Sequence, residues 1–186
     1  MAVLVAAGAG VRHRRRWVFR DLEVLIDPGD LVAVTGPPGS GRTTALLALA
    51  GRFRLSEGSV DFLEGGAALG FVPGVSDPEP VMTVAEHVRE RSALLGLPSV
   101  DVPLLGLDPE AKGWQLGPFQ RQLLGIVLAL MEDPRIVALD GVDEGLDADE
   151  RTQLRKVLRE LTDTGVAVMV TARHLDEDDI ATEIRL

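Results

Sequence analysis

The sequence predicts an α/β fold, in which helices flank a mostly parallel sheet, and three observations favour it. A glycine-rich turn, residues 36–44, connects an apolar stretch to a helix-forming one. Two continuous apolar runs, 136–140 and 166–171, are typical of strands that are buried on both faces of a parallel sheet. Segments with strand character alternate with helical ones, which indicates parallel strands joined by right-handed crossovers.

Small antiparallel strands are expected before the glycine-rich turn. They cover residues 2–7, 17–19 and 22–26, and a turn at 27–30 leads into the strand at 31–35. A basic cluster, residues 12–16, lies between the first two of them. It is either a rim around a nucleotide or an acidic partner, or a solvated hairpin edge whose charges discourage strand pairing between molecules. We favour the hairpin edge.

Helices and short strands are predicted over the rest of the chain. Thr83 and Asp147 are each followed three residues later by a glutamate, Glu86 and Glu150, which is the pattern of a capping box. Pro118 suits the first position of a helix. The predicted helices cover residues 45–51, 83–95, 118–131 and 147–162, with a short one after 108–109, and the predicted strands cover 57–65, 69–74, 136–140 and 166–171.

The composition fits one domain of ordinary size. The chain has 186 residues, of which 46% are hydrophobic, and this share is enough for a buried core. Its net charge of −10 argues against nucleic acid as a partner, because phosphates repel an acidic chain. The absence of cysteine excludes disulfides and thiolate metal sites. No apolar run approaches the roughly 20 residues that span a bilayer, so we expect a cytoplasmic protein.

The glycine-rich turn predicts a phosphate-binding loop. Glycines allow successive backbone N–H groups to point at phosphate oxygens, and the N-terminus of the following helix adds positive charge. Arg42 stands where such loops usually have Lys, and the position of Thr44 suits a hydrogen bond to another phosphate oxygen. The predicted nucleotide-binding residues are Gly36, Gly39, Ser40, Gly41, Arg42, Thr43 and Thr44.

A magnesium site is predicted beside this loop. The Thr43 hydroxyl directly follows the cationic residue, which is the position of a Mg²⁺ ligand in phosphate loops. Asp140 ends a buried apolar run, where a second, acidic ligand is expected. The alternative for Asp140 is a turn or helix-cap acid, since Gly141 follows it. The strand-end position favours the metal role, and the sequence therefore predicts Thr43 and Asp140 as Mg²⁺ ligands.

These segments together resemble the ATP-binding cassette (ABC) ATPase family over nearly the whole chain. The resemblance rests on residues 36–44, 116–122, 134–140 and 145–147, which match the family's phosphate loop, signature, Walker B strand and D-loop in order and spacing. It implies a P-loop NTPase fold that binds ATP with Mg²⁺. It also implies a single nucleotide-binding domain over residues 1–186 with a reduced helical subdomain at about 75–115. Leu116, Gly117 and Gln120 are the signature-like residues.

The sequence departs from this family at several functional positions. Gly141 replaces the catalytic glutamate that follows the Walker B aspartate, and Gly74 replaces the glutamine of the Q-loop. In the signature, Pro118 removes a backbone donor and Phe119 adds bulk. The switch histidine position falls on Ala172 or Arg173, depending on the alignment, and His174 lies just beyond it.

No catalytic residue is therefore assigned from the sequence alone. Asp143, Glu144 and His174 are the candidates, and the simpler interpretations are an exposed acidic turn and a solvated loop histidine. The adenine-stacking aromatic of the family falls near His13, with Trp17 as the alternative. We favour core packing for Trp17.

Two functions fit this set of residues. The first is the ATP-binding subunit of an ABC transporter or related complex, with weak or absent hydrolysis. The second is a non-catalytic regulatory or scaffold cassette that acts through protein partners. The first implies a membrane-embedded partner at the inner face of the membrane, and either implies a homo- or heterodimer with another cassette. An unrelated phosphate-loop kinase would leave Gln120 and residues 145–147 unexplained.

Overall fold

The computed structural model describes residues 1–98, 102–173 and 180–186. Strands and helices alternate over most of this part of the chain, as the sequence predicts. The elements are β1 (Leu4–His13), β2 (Arg16–Ile26), β3 (Leu31–Thr35), α1 (Arg42–Leu49), β4 (Glu57–Phe62), β5 (Ala67–Leu69), α2 (Val84–Leu94), a 3₁₀ turn (Gly113–Gln115), α3 (Pro118–Leu130), β6 (Ile136–Leu139), α4 (Ala148–Asp163), β7 (Ala167–Thr171) and β8 (Thr182–Arg185).

A five-stranded parallel sheet forms the centre of the molecule. Its order is β5-β6-β7-β3-β8, and every described pair in it is parallel. All residues of β3, β6 and β7 are buried, because helices cover both faces of these strands. The predicted α/β fold with a mostly parallel sheet is thus confirmed.

The predicted small antiparallel part is also confirmed. Strands β2, β1 and β4 form a separate three-stranded sheet, with β1 in the middle. The strands are longer than expected, since a single β2 replaces the two short segments at 17–19 and 22–26. Arg14 and Arg15 form the tip of the β1–β2 hairpin, so the basic cluster lies at a hairpin end.

Both predicted capping boxes are present. The Thr83 side chain accepts a hydrogen bond from the Glu86 backbone, and the Glu86 side chain accepts one from the Thr83 backbone. Asp147 and Glu150 make the same reciprocal pair at the start of α4. Pro118 is the first residue of α3, as expected. The predicted reduced helical subdomain contains α2 and the 3₁₀ turn. Helix α2 packs on α3, and the 3₁₀ turn directly precedes α3.

Three elements differ from the sequence prediction. The strand predicted at 69–74 is β5, which begins at Ala67 and ends at Leu69, because the Ser76 side chain hydrogen-bonds the backbone of Gly70 and Val72 and bends the chain. The helix predicted after 108–109 is a turn, in which the Ala111 amide bonds the Asp108 carbonyl. Strand β8 is absent from the predicted elements, and Ile184 is its one buried residue.

No helix in the described ranges is both long and apolar enough to cross a membrane.

Candidate functional site

The glycine-rich loop lies between β3 and α1, and contacts on both sides require its glycines. Gly36 has a φ of +147°, and a Cβ there would stand 2.7 Å from the Leu186 carbonyl oxygen. Gly41 has a φ of +99°, and a Cβ there would collide with Val18 Cγ1. Both the left-handed backbone and the lack of space exclude a side chain at these two positions.

Two buried polar atoms in this loop lack a partner. Among the described residues, neither the Ser40 hydroxyl nor Arg42 Nη1 makes a hydrogen bond, although both atoms are buried. In the described part of the chain no side chain caps the N-terminus of α1, which begins at Arg42. Unpaired buried donors beside a helix N-terminus suit a bound anion, because the anion would satisfy them. Thr43 and Thr44 follow in the first turn of α1, and Gly39 lies in the exposed part of the loop.

Asp140 brings three distant segments together at the end of β6. The Thr43 hydroxyl donates to Asp140 Oδ2 at 2.8 Å, and the Thr171 hydroxyl at the end of β7 donates to Oδ1. The Gly141 amide donates to the same Thr171 oxygen at 2.8 Å. Gln122, buried in α3, donates through Nε2 to the Asp140 carbonyl at 2.9 Å. The carboxylate is thus fixed against the phosphate-type loop and the first turn of α1.

This pair of oxygen groups is chemically suited to Mg²⁺. A hydroxyl and a carboxylate are hard donors, and Mg²⁺ commonly takes one or two such protein ligands together with substrate phosphates. Thr43 and Asp140 stand at the carboxyl edge of the parallel sheet, where ligands bind in α/β folds. The unpaired Ser40 and Arg42 atoms beside them fit the phosphate part of the same ligand.

Thr171 and Gln122 are the parts of this arrangement that the sequence analysis did not assign. The sequence does indicate Thr171, because it is the last residue of a buried apolar run and Asp140 directly follows another. Adjacent parallel strands end at the same edge of a sheet, so the two residues are expected to lie close together. Gln122 was detectable as a polar residue followed directly by the apolar Leu123 and Leu124 of α3.

The acidic turn after Asp140 folds back toward the loop. The Glu144 amide bonds the Gly141 carbonyl at 2.9 Å. Glu144 Oε1 then lies 3.8 Å from Arg42 Nη2 and 3.3 Å from Arg173 Nε, although the side chain stays 45% exposed. The Asp143 carboxylate accepts from the Arg173 amide at 3.1 Å and 3.2 Å. Glu144 is exposed, as expected for an acidic turn, and both acids also contact specific partners.

The signature-like residues make structural contacts at the start of α3. Gln120 Oε1 accepts from the Gly117 amide at 2.9 Å, so this side chain caps the helix. Leu116 is buried, and its carbonyl accepts from Arg121 Nε at 3.1 Å. Pro118 lies against Gly145, where an added Cβ would stand 3.0 Å from Pro118 Cγ. The signature-like segment and the 145–147 loop are thus neighbours.

The core-packing interpretation of Trp17 is wrong. The residue is 36% exposed, and the guanidinium carbons of Arg12 and Arg20 lie 5.7 Å and 5.1 Å from its ring centroid. It lines an open cleft of about 920 Å³ whose wall includes Gly39 and Ser40. The hairpin aromatic therefore stands beside the phosphate-type loop.

The candidates for the switch position divide between described and undescribed residues. Ala172 is fully buried. Arg173 contacts Glu144 and Asp143 as given above. His174 and the acidic residues after it lie outside the described residues. Gly74, at the Q-loop position, donates its amide to Asp77 at 2.6 Å.

Known proteins resemble this chain in both sequence and architecture. A family model described as "ABC transporter" matches residues 19–143. The zinc import ATP-binding protein ZnuC of Jannaschia sp. (strain CCS1) is 30% identical over 94% of this chain and 74% of its own length. The taurine import ATP-binding protein TauB of Escherichia coli O157:H7 is 31% identical over 91% of this chain and 73% of its own length.

Solved structures give the same architecture at low sequence identity. An ATP-binding subunit of an ABC transporter superposes with a TM-score of 0.76 at 18% identity, covering 93% of this chain and 80% of that one. An ATP-binding cassette of an ABC transporter gives 0.77 at 20% identity, covering 95% and 83%. At such identities these likenesses concern the fold.

Proposed function

The chain belongs to the ABC transporter family, and from this premise we propose that it is the ATP-binding subunit of a transporter with slow or absent ATP hydrolysis. One observation supports nucleotide binding above all. The Thr43 hydroxyl meets the Asp140 carboxylate at 2.8 Å, directly beside buried Ser40 and Arg42 atoms that lack partners among the described residues. A nucleotide phosphate would satisfy the Ser40 and Arg42 atoms, and Thr43 and Asp140 would hold its Mg²⁺.

In this proposal the residues of the loop divide the work of binding. The backbone N–H groups of the loop after Pro38 and those at the start of α1 hold the phosphates. Arg42 pairs with a phosphate through Nη1, the buried nitrogen that has no partner among the described residues. Thr43 and Asp140 hold Mg²⁺, while Thr171 and Gln122 keep Asp140 in place. Bound Mg²⁺ supplies neutralisation of the phosphate charge.

Slow hydrolysis follows from the residues that replace the family's catalytic ones. Gly141 has no side chain to orient or deprotonate water, and loss of a general base typically costs about 10²–10⁴ in rate. The signature-like segment adds to this effect, because Pro118 has no N–H to offer a phosphate. Phe119 is half-buried and packs against the apolar cluster around α3, which fixes the segment as a structural unit.

The proposed partners are a membrane-embedded transporter subunit and a second cassette, identical or different. The named relatives are import ATP-binding proteins, which supports the transporter role over a purely regulatory one. A groove between α2 and α3, lined in part by His87, Arg91 and Leu94, offers a docking surface for the membrane subunit. Such docking would place the chain at the cytoplasmic face of the membrane. The scaffold cassette remains the second candidate, since Gly141 argues against turnover.

Calorimetric titration with ATP and Mg²⁺ tests the proposal. We expect binding in the micromolar to low-millimolar range that is lost in Arg42→Ala. The matched control is Arg52→Ala, which removes a guanidinium that pairs with Glu132 at 3.9 Å and is not a predicted nucleotide-binding residue. Absence of ATP binding by a folded protein would contradict the proposal and favour the scaffold cassette.

A further inference from the structure

The Glu144 side chain lies directly against Gly141. A Cβ built on Gly141 would stand 3.3 Å from Glu144 Cδ, 3.4 Å from Cγ and 3.5 Å from Oε2. The tight turn in which the Glu144 amide bonds the Gly141 carbonyl brings the side chain back over this glycine. The φ of +61° at Gly141 favours glycine, and the Glu144 side chain packs close against this position.

Two arginines hold this carboxylate in place. Arg42 belongs to the phosphate-type loop, and its Nη2 lies 3.8 Å from Glu144 Oε1. Arg173 follows β7, and its Nε lies 3.3 Å from the same oxygen. The Asp143 carboxylate accepts a hydrogen bond from the Arg173 backbone amide, and this bond fixes the segment that carries the second guanidinium. The carboxylate is therefore tied both to the loop and to the end of β7.

The fork of Arg42 allows it to contact an anion and Glu144 at the same time. Its Nη2 faces Glu144, whereas its Nη1 is buried and has no partner among the described residues. A guanidinium presents five donors in a fixed plane, while an ammonium is a single point charge. Arginine at 42 can thus bind phosphate through one nitrogen and position a carboxylate with the other.

We propose that Glu144 supplies the general base that position 141 lacks, with Arg42 as its positioning residue. This inference rests on the proposed nucleotide binding and narrows it from slow or absent turnover to slow turnover. In the step, a water oxygen forms a bond to the γ-phosphorus, and the bond from that phosphorus to the β–γ bridging oxygen breaks. Its electron pair leaves on ADP. The water proton passes to the Glu144 carboxylate and then to solvent.

The test is phosphate release with protein in excess over ATP and saturating Mg²⁺, measured beside ATP affinity. We expect Glu144→Gln to lower release by about 10²-fold, or to the rate without protein, because the amide cannot accept the proton. ATP affinity should change only a few-fold, as for loss of a half-exposed ion pair. The control is Glu160→Gln, the same change on an exposed residue of α4 that pairs with Lys156.

A double-mutant cycle tests the role of Arg42. Arg42→Lys should also slow release, since the ammonium cannot hold both groups. Combined with Glu144→Gln it should slow release little further, because residues that act together are not additive. Additive losses would show that Arg42 does not act through Glu144.

The outcomes separate this inference from the proposed function. Unchanged phosphate release in Glu144→Gln overturns the role of Glu144 and leaves ATP binding standing. If the unmodified chain binds ATP but releases phosphate no faster than buffer without protein, the role of Glu144 is likewise overturned and ATP binding stands. An unmodified chain that binds no ATP overturns both.

Discussion

At position 42 a forked side chain contacts two different groups, and this sets the local electrostatics. One terminal nitrogen faces Glu144 and the other is buried without a described partner. A buried donor without a partner costs free energy, which a phosphate would recover on binding. Part of the attraction that Arg42 offers to an anion is, however, already engaged by Glu144.

The substitution Arg42→Lys should therefore strengthen ATP binding while it slows turnover. Lysine is a compact point charge that fits a tight phosphate loop and pairs less with Glu144. We expect the affinity to rise by about two- to fivefold, the scale of one partly exposed ion pair. Calorimetric titration measures this, with Arg52→Lys as the matched control. An ATP affinity that is unchanged or lower in Arg42→Lys would show that the pairing of Arg42 with Glu144 does not weaken ATP binding.

The sequence predicts some of these residues better than others, for a physical reason. Thr43 and Asp140 were assigned because each occupies a fixed place beside a strand or helix, and local pattern defines those places. The environments of Glu144 and Trp17 depend on arginines that only the tertiary fold brings near them. Local pattern therefore describes Glu144 as an acid in an exposed turn and Trp17 as an apolar residue for the core.

Among the helices, α2 shows how one charged side chain can stabilise an element end. The Thr83 amide donates to Glu86 Oε2 at 2.8 Å, and the Glu86 amide donates to the Thr83 hydroxyl at 3.2 Å. The hydrogen bond from the Thr83 backbone lowers the pKa of Glu86 below its ordinary value of 4.5. The folded state thus favours the ionised carboxylate more than the unfolded state does.

This difference in pKa makes the stability of α2 depend on pH. Because the folded pKa is the lower one, the contribution is complete above about pH 4.5 and is lost as pH falls through the folded pKa. Glu86→Gln keeps an oxygen acceptor for the cap but cannot titrate. Urea unfolding should show that the stability advantage of the unmodified chain over Glu86→Gln shrinks from neutral to acidic pH. Glu90→Gln on the same helix is the control, and an equal shrinkage there would exclude the cap as the cause.

Strand β8 shows why an edge element is hard to predict. Its four residues include two charged ones, and Ile184 is the only residue classed as buried. Such a segment does not have the continuous apolar run of β6 or β7, so its pairing with β3 depends on backbone hydrogen bonds that the sequence does not show. The central strands β6 and β7 are predicted correctly because their continuous apolar runs are typical of strands buried on both faces.

In the whole molecule, the phosphate-type loop is held from two sides. Val18 of the antiparallel sheet lies against Gly41, and Leu186 after β8 lies against Gly36. The loop conformation thus depends on both sheets being folded. A ligand of the loop should consequently stabilise the complete fold and not only α1.

Thermal unfolding measures this effect directly. A ligand at about a hundred times its Kd stabilises the folded state by about 2.7 kcal/mol. For a chain of this size that corresponds to a rise in Tm of about 5–10 °C. We expect this rise with ATP and Mg²⁺ and none in Arg42→Ala. A rise of equal size in that variant would place the binding elsewhere on the molecule.

The positions of the two tryptophans give the molecule two separate optical reporters. Trp17 lines the cleft beside Ser40, and Trp114 is 64% exposed in the 3₁₀ turn before α3. Indole fluorescence responds to the charge and polarity around the ring, so an anion that binds in the cleft should change the fluorescence of Trp17. A partner protein that covers the 3₁₀ turn should change the fluorescence of Trp114. With either tryptophan replaced by phenylalanine, the remaining one records a single event, and its kinetics can be followed without any added dye.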